Sequence, residues 1–416
     1  MADTTERRAS TPGADIPRRQ ATAWRNALFV IFFLSGIGLA SWVSRVPAVR
    51  DALGASTLEM GALIFGLAAG SIVGLLASSH ILARFGAKVT MVACLIGGPI
   101  GFMLAGIGAT VGPSFLLIFA GLAIFGAGSG MCDVAMNVSG AANERVLGST
   151  VMPLYHAAFS LGTVAGAGAG AVAEGANVPI AVHTAVIAAV MIAAAIASAR
   201  FVLHENVAHD TTDAQGNPTE STWRSRLAIW RDPRTILIGL IILGMAFAEG
   251  SANDWLALAM VDGHGVDNTT GALVFGVFVT AMTVGRIAGV PLLDRFGRVP
   301  VLRVSAVFAA VGLLLVIFGP APAIAVVGVV LWGLGSALGF PVGMSAAADD
   351  PRTAGARVSA VATIGYCAFL VGPPAIGFLG EHFGLLNGLL VVLILVAVAG
   401  IVSGSAREPE KAPRAA

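Results

Sequence analysis

The sequence has little charge and almost no cysteine. Only 11% of its 416 residues are charged, against about a quarter in soluble globular domains. The formal net charge of +1 gives no reason to expect a nucleic-acid partner. The cysteines, Cys94, Cys132 and Cys367, lie in apolar runs without a C-x-x-C spacing, so they predict packing residues and no metal site. The composition is 56% hydrophobic, which indicates a protein surrounded mainly by lipid.

Motifs for catalysis and for ATP hydrolysis are also lacking. The sequence has no Walker A motif, no H-E-x-x-H and no G-x-S-x-G, so it predicts neither an ATPase motor nor an enzyme, and no cofactor. The first residues lack the apolar core and the cleavage pattern of a signal peptide. We therefore expect a disordered cytoplasmic tail at 1 to 22.

Apolar runs long enough to cross a bilayer occur twelve times. A bilayer core of ~30 Å requires roughly 20 apolar residues per helix. The runs predict an all-α membrane protein with twelve transmembrane helices in two pseudo-symmetric six-helix bundles. These helices are expected near 26 to 47, 57 to 80, 88 to 107, 114 to 140, 152 to 173, 179 to 202, 235 to 260, 269 to 291, 299 to 319, 322 to 347, 356 to 380 and 384 to 405.

A charged stretch that contains proline and glycine separates the two sets of six helices. Such a stretch cannot span a bilayer, so it predicts a cytoplasmic linker at 204 to 233. The N-terminal bundle is then expected at 23 to 203, the C-terminal bundle at 234 to 406, and a cytoplasmic tail at 407 to 416.

Three short matches recur along the chain at a nearly constant separation of about 210 residues. They pair FGAGSG at 125 to 130 with WGLGSA at 332 to 337, GLLASSHILARFGAKV at 74 to 89 with GRIAGVPLLDRFGRVP at 285 to 300, and AFSLG at 158 to 162 with AFLVG at 368 to 372. The common offset predicts a duplicated architecture, which is a building plan of membrane transporters.

Basic residues set the predicted orientation. With both termini inside, the tails, the linker and the loops after predicted helices 2, 4, 8 and 10 contain all but three of the 24 lysines and arginines. The exceptions are Arg45, Arg50 and Arg286. Because cytoplasmic segments are enriched in Lys and Arg, both termini are predicted to be cytoplasmic.

The loop after the second helix of each half carries a family motif. Twelve helices in two halves, with LARFGAK and LLDRFGRV at these loops, resemble the major facilitator superfamily, whose loop signature is roughly G-x-x-x-D-R-x-G-R-K. The first copy has Ala83 at the position of the aspartate. In the family these loop charges contact neighbouring helix ends and help hold the outward-facing state. The resemblance assigns this gating role to Arg84, Gly86, Lys88, Asp294, Arg295, Gly297 and Arg298.

Two further segments narrow the resemblance. GAGSGMCDVAMN in predicted helix 4 and HAAFSLG in helix 5 resemble the fucose:proton symporter branch and its bacterial inner-membrane relatives of unassigned substrate. In that branch the fourth helix carries an acidic residue followed four positions later by asparagine, as Asp133 and Asn137 do here. This resemblance covers only the two helices.

Asp133 and Asn137 are spaced i, i+4, so both project from one face of helix 4. The repeat-matched positions hold Phe340 and Met344, so the polar pair belongs to one half only. We predict that Asp133 carries a proton and that Asn137 contributes to the solute site. A hydrogen bond to a neighbouring helix, or hydration near the cytosolic end, is the alternative interpretation of Asp133.

The segment AEGSANDW of predicted helix 7 supplies a second polar group. Glu249 lies near the middle of the bilayer and is predicted as a further proton-coupling residue. Asn253, Asp254 and Trp255 follow within two turns and are predicted to bind substrate, because carboxylates, amides and indole rings are the groups that sugar sites use. A position at the outer mouth is the alternative for Asp254.

Five more residues are candidates with open alternatives. Trp42 and Arg45, at the outer end of helix 1, are predicted to bind substrate, although Arg45 has the alternatives of reaching the outer headgroups or of pairing with a carboxylate. His156 and Tyr366 occupy matched positions in the two halves and are predicted to line the cavity, with packing as the alternative for the histidine. Arg286 is assigned either a gating or ion-pair role or a snorkelling position.

The predicted function is secondary transport by alternating access. We expect proton-coupled uptake of a small polyhydroxylated solute through a monomeric bacterial inner-membrane protein, with the bilayer, the solute and protons as its partners. Gly162, Gly166 and Gly170 predict close packing of helix 5. Proton-coupled drug antiporters of the superfamily carry a Gly-Pro pair in this helix, which is missing here. An efflux antiporter is therefore the second hypothesis.

Overall fold

The computed structural model describes residues 16–149, 151–203, 229–350 and 353–408, and within these ranges the chain is helical and contains no strand. The helices are α1 Arg18–Val43, α2 Val46–Leu53, α3 Thr57–Thr110, α4 Phe115–Leu147, α5 Met152–Gly175, α6 Ile180–Ala199, α7 Pro233–His264, α8 Asn268–Phe296, α9 Arg298–Phe318, α10 Pro322–Ser336, α11 Gly339–Ala347, α12 Ala354–Phe383, α13 Leu385–Gly388 and α14 Leu390–Val402, followed by a 3-10 turn at Ser403–Ala406.

The number of membrane crossings agrees with the sequence prediction. Ten helical segments of the described chain are long and apolar enough to cross a membrane. One of them, α3, has 54 residues and covers predicted helices 2 and 3. Counting α3 twice and adding the glycine-rich α5 gives the twelve crossings expected, so the all-α membrane fold is confirmed.

Several predicted boundaries differ from the structure. Helix α1 begins at Arg18, directly after Pro17, so the predicted tail of 1 to 22 is too long. Proline is favourable at a helix start because its missing N–H needs no partner there. Predicted helix 10 is divided into α10 and α11, and helix 12 into α13 and α14. Residues 1–15 and 409–416 of the predicted tails and 204–228 of the predicted linker lie outside the described residues.

The sequence repeat is visible in the backbone at two glycines. Gly86 interrupts α3 with a φ of 76°, and Gly297 separates α8 from α9 with the same φ of 76°. An L side chain is strained in this region, so glycine is needed at both turns. The preceding arginines also match: the guanidinium carbon of Arg84 lies 5.4 Å from the Phe85 ring centre, and the Arg295 carbon lies 5.1 Å from the Phe296 ring centre.

We call the two ends of the helical bundle the termini side and the far side. The termini side includes Ala21 near the start of α1 and the Arg234 side chain, which donates to the carbonyl oxygen of Arg407 at 3.1 Å. The far side includes Arg50 in α2 and Asp262 near the end of α7. Helices α3 with α12, and α5 with α8, make the main contacts between the N-terminal and C-terminal halves.

The predicted glycine stripe of α5 packs against α1. A Cβ atom on Gly162 would overlap the carbonyl oxygen of Phe33, and one on Gly166 would lie 2.5 Å from the carbonyl oxygen of Ile37. Backbone contact between helices at this distance requires the absence of a side chain. The close packing predicted for helix 5 is therefore confirmed.

We expect Gly162→Ala to destabilise the protein, because the new methyl group must displace the α1 backbone. Overpacking of this kind costs about 1–3 kcal/mol. Gly168→Ala is the matched control on the same helix, since its Cβ would meet nothing within 4 Å. Thermal unfolding of both purified variants in detergent tests this expectation, and equal transition temperatures would contradict the close packing.

Candidate functional site

The two halves are joined by polar contacts at the far side. Arg50 of α2 forms an ion pair with Asp262 of α7. The neighbouring Asp51 accepts a hydrogen bond of 2.8 Å from the side chain of Asn268, at the start of α8. The four residues lie on three different helices, and no local sequence pattern relates these helices to one another. The sequence analysis therefore did not predict this contact.

Close backbone packing continues the far-side contact between α3 and α12. A Cβ atom on Gly61 would lie 2.9 Å from the carbonyl oxygen of Pro373 and 3.2 Å from the Cα atom of Gly377. The Glu381 carboxylate accepts a hydrogen bond of 3.3 Å from the backbone N–H of Leu58. The halves therefore meet tightly at this end of the molecule.

The ion pairs at the termini side connect helices within the C-terminal half. Asp349, just beyond α11, accepts from Arg298 at 2.8 Å and from Arg234 at 2.8 Å. Asp232 caps the start of α7 and pairs with Arg357 of α12 at 3.0 Å. Burial opposes ionisation of Asp232, but its hydrogen bonds with Thr235 and the charge of Arg357 outweigh burial and lower its pKa. These contacts stabilise the C-terminal half, whereas the polar contacts described above at the far side join the two halves.

A central cavity of about 370 Å³ lies between the two halves. This volume is within the range of small-molecule sites. The cavity extends from Trp42 and Val46 toward the far side to Leu75 and Met136 toward the termini side. The polar and aromatic residues of its wall are Ser35, Trp42, Ser71, Phe125, Ser129, Asp133, Phe159, Asn253, Asp254, Tyr366 and Phe369.

Asp133 reaches the cavity from α4. Its side chain is exposed there, and Asn137 donates to the Asp133 carboxylate at 3.2 Å and to its backbone carbonyl at 2.8 Å. The predicted common face of this pair agrees with the geometry, although Asn137 itself lies outside the cavity lining. Gly126 and Gly130 allow α4 to lie against the α3 backbone, which brings Asp133 and Ser71 to the same wall.

Asn253 and Asp254 reach the cavity from α7, together with Gly250. The spacing i, i+3, i+4 places these three residues on one helix face. Within the described chain, the Asp254 carboxylate has no hydrogen-bond or ion-pair partner among the contacts that we observe. Asp254 therefore presents an uncompensated carboxylate, and it lies in the wall of the central cavity and not in the alternative position at an outer mouth.

Glu249 lies outside the cavity lining, and its proton-coupling role stays a prediction. Its carboxylate accepts a hydrogen bond of 2.9 Å from Arg286 of α8, within the same half. This hydrogen bond directs the Glu249 carboxylate toward α8, outside the cavity lining. The ion-pair alternative for Arg286 thus describes the structure, and snorkelling does not.

Trp255 is also outside the cavity, which corrects its prediction as a substrate-binding residue. Its ring is fully buried and lies close to Gly377 of α12. Trp42 does line the cavity, and its indole N–H has no hydrogen-bond partner. One of the two predicted tryptophans is therefore placed to meet a solute.

Arg45 and His156 are placed away from the cavity lining. Arg45 is buried and pairs with Glu174 at 3.1 Å while donating to the Val178 carbonyl at 2.8 Å. The pair with Glu174 agrees with the carboxylate alternative for Arg45, and the residue lies outside the cavity lining. His156 packs edge-on against Phe32 at 5.5 Å, in agreement with its packing alternative. Tyr366, its repeat partner, lines the cavity.

The predicted gating loops differ between the halves. In the C-terminal half, Arg298 contacts Asp349 and the Ser345 hydroxyl at the neighbouring helix end. The matched position in the N-terminal half is Ala87, which cannot make this contact. Asp294 is exposed and Lys88 is half-buried. The loop charges were expected to contact neighbouring helix ends, and Arg298 makes such a contact.

Comparison with known proteins agrees with this architecture. The family profile described as Major Facilitator Superfamily matches residues 28–289 and 250–416. An uncharacterized transporter, y4wD, of Sinorhizobium fredii is 32% identical over 387 residues, covering 93% of this chain and 98% of that protein.

Solved structures with the same fold include two transporters. A mutant of the nucleoside transporter NupG superposes with a TM-score of 0.72 at 14% identity, covering 92% of this chain and 98% of that one. The E. coli fucose:proton symporter FucP superposes with a TM-score of 0.62 at 17% identity, with the same coverage of 92% and 98%. At these identities the likeness concerns the fold.

Proposed function

Because the chain belongs to the major facilitator superfamily, and is thus a multi-pass membrane transporter and not an enzyme, we propose that it takes up a small hydroxyl-bearing solute together with protons. The observation that carries the proposal is the central cavity, in which Asp133 of one half and Asp254 of the other reach the same space. Rocking of the halves changes the exposure of both carboxylates, as alternating access requires.

Asp133 is proposed as the proton carrier. Removing a carboxylate from water favours its protonated form, and hydration favours release of the proton. Asp133 is exposed to the cavity, and among the residues that the structure describes its carboxylate has only the neutral Asn137 as a hydrogen-bond partner. Inward movement of one proton contributes ~2.3 kcal/mol per 100 mV, which is enough to accumulate a solute without ATP.

The hydroxyl-bearing substrate class is supported by the cavity wall and by two proteins of like fold. Ser35, Ser71 and Ser129 and the amide of Asn253 can exchange hydrogen bonds with hydroxyl groups. The proteins of like fold are named for fucose and for nucleosides, both of which carry several hydroxyl groups. The only proline of α5, Pro153, is in the first turn and forms no Gly-Pro pair, which favours uptake over drug efflux.

The proposed orientation places the termini side in the cytoplasm of a bacterial inner membrane. The basic residues Arg84, Lys88, Arg295 and Arg298 lie on that side near the breaks at the two matched glycines. Cytoplasmic segments carry such an excess of Lys and Arg. In this orientation the present conformation is closed at the outer face by Arg50, Asp262 and their neighbours.

Proteoliposomes in a weakly buffered medium that contains a membrane-impermeant pH-sensitive dye test the proposed function. Sugars, polyols and amino sugars are added outside in the absence of a membrane potential, and the external pH is recorded. Symport predicts that a transported solute makes the medium more alkaline. Acidification of the medium by the same solute would favour the efflux antiporter.

We expect Arg50→Asp to favour outward opening, because it replaces the far-side ion pair with like charges. Partly exposed pairs contribute about 0.2–1 kcal/mol, so the labelling rate of a cavity cysteine from the outside should rise about two- to fivefold. The measurement uses Ser71→Cys in a background without native cysteines. The double variant Arg50→Asp/Asp262→Arg should restore the original rate, and failure of the swap to do so would contradict the role of this pair.

A further inference from the structure

We propose that the transported solute carries a protonated amine in addition to its hydroxyl groups. This inference rests on the proposed function, because it concerns the specificity of the same central cavity. Its basis is the charge of the cavity wall: Asp133 and Asp254 line the cavity, whereas no lysine, arginine or histidine is found among the lining residues of the described chain.

Two arginines within the helical bundle have acidic partners of their own. Arg286 donates to Glu249 at 2.9 Å, and Arg45 pairs with Glu174 at 3.1 Å. Neither arginine is part of the cavity lining. Their charges therefore do not compensate the two cavity carboxylates, and ionisation of either carboxylate makes the cavity potential negative.

A positively charged group resolves this imbalance better than a neutral one. When Asp133 is protonated for transport, Asp254 still holds a carboxylate without a partner among the contacts observed in the described residues. An unpaired charge in a dry site is costly, and a hydrogen-bonded ammonium group offsets that cost. A neutral sugar would leave Asp254 uncompensated, and an anionic solute would add repulsion from it.

The aromatic wall is a second observation that favours an amine. Trp42, Phe125, Phe159, Tyr366 and Phe369 all line the cavity. Aromatic faces attract ammonium groups, by about 2 kcal/mol when the cation is desolvated.

Charge-selective thiol reagents test the cavity potential without knowledge of the solute. Ser71→Cys is prepared in a variant whose native cysteines are replaced by serine, and Gly112→Cys, in the open loop before α4, is the surface control. The reagents are the trimethylammonioethyl and sulfonatoethyl methanethiosulfonates. Focused potentials in clefts change encounter rates by about tenfold or more, so the cation-to-anion rate ratio at Ser71→Cys should exceed the control ratio by that factor.

Two substitutions separate the charge from the shape of the cavity. Asp254→Asn keeps the shape and should lower the rate ratio toward that of the Gly112→Cys control. Asn253→Asp adds a carboxylate on the same helix face and should raise the ratio. If the wild-type ratio equals the control ratio, or if neither substitution changes it, the inference is overturned.

Stabilisation of the protein by added ligands is the second test of the inference. D-glucosamine, D-glucose and D-glucuronate differ mainly in charge, and binding to the native state raises its unfolding temperature. D-glucosamine should give the largest increase in unfolding temperature. An equal or larger increase with D-glucose or D-glucuronate would overturn the inference. If none of the three binds, the cation-to-anion rate ratio of the thiol reagents decides. Loss of proton coupling with the cation preference intact would instead contradict only the proposed function.

Discussion

Asp133→Asn is expected to abolish proton-driven accumulation while leaving solute exchange largely intact. The amide keeps the shape of the side chain and its contact with Asn137, but it cannot bind and release a proton. At 100 mV the lost driving force is ~2.3 kcal/mol per proton, which corresponds to about a 40-fold solute gradient. The internal-to-external solute ratio should therefore fall to about one.

Proteoliposomes with an imposed proton gradient provide the measurement, using a solute that the wild-type protein concentrates. Asp213→Asn removes the same charge from the predicted linker, and it is the matched control. Counterflow exchange of labelled solute shows whether each variant still binds and moves the solute. Accumulation by Asp133→Asn at the wild-type level would make Asp133 a structural residue and direct attention to Asp254.

The fold was predictable because a bilayer restricts the solutions open to an apolar chain. Runs of about 20 apolar residues must form helices, since no water is present to satisfy the backbone. The repeat predicted matched turns, and Gly86 and Gly297 share a φ of 76°. The start of α1 was placed too late, because it was predicted from hydropathy. Charged residues near a membrane surface lower the hydropathy of a segment but do not prevent it from forming a helix.

The residue types of the candidate site were predictable from the sequence, but the side of each helix that faces the cavity was not. Depth along α7 placed Glu249 near the middle of the bilayer, yet depth does not tell which face of a helix meets the cavity. Helical spacing alone does not settle the question, because Glu249 and Asn253 are spaced i, i+4 just as Gly250 and Asp254 are. The structure shows Asn253 and Asp254 in the cavity lining and leaves Glu249 and Trp255 outside it.

Partners distant in sequence were beyond sequence reasoning. Glu174 is paired with Arg45, and Asp262 with Arg50, across helices whose relative rotation no local pattern defines. A single sequence predicts that a charge inside a span needs a partner. The identity of that partner follows only from the packing of the helices.

Neutralising Glu249 alone should be more harmful than neutralising both members of its ion pair. Glu249→Gln leaves Arg286 without its partner, and breaking a buried pair costs about 3–5 kcal/mol. The Arg286 side chain is 33% exposed, so water screens part of this cost and we expect a destabilisation of about 1–3 kcal/mol. The double variant Glu249→Gln/Arg286→Gln removes both charges and should recover most of the lost stability.

A double-mutant cycle on thermal unfolding measures this coupling, with Arg84→Gln as a control that removes an exposed arginine of the same charge. Transport by the double variant distinguishes a structural role of the ion pair from a role in proton coupling. A pair that only holds α7 against α8 is not needed for proton movement. We expect this variant to retain proton-driven accumulation, unlike Asp133→Asn. Additive effects on stability, together with a loss of accumulation in Glu249→Gln, would return the proton-coupling role to Glu249.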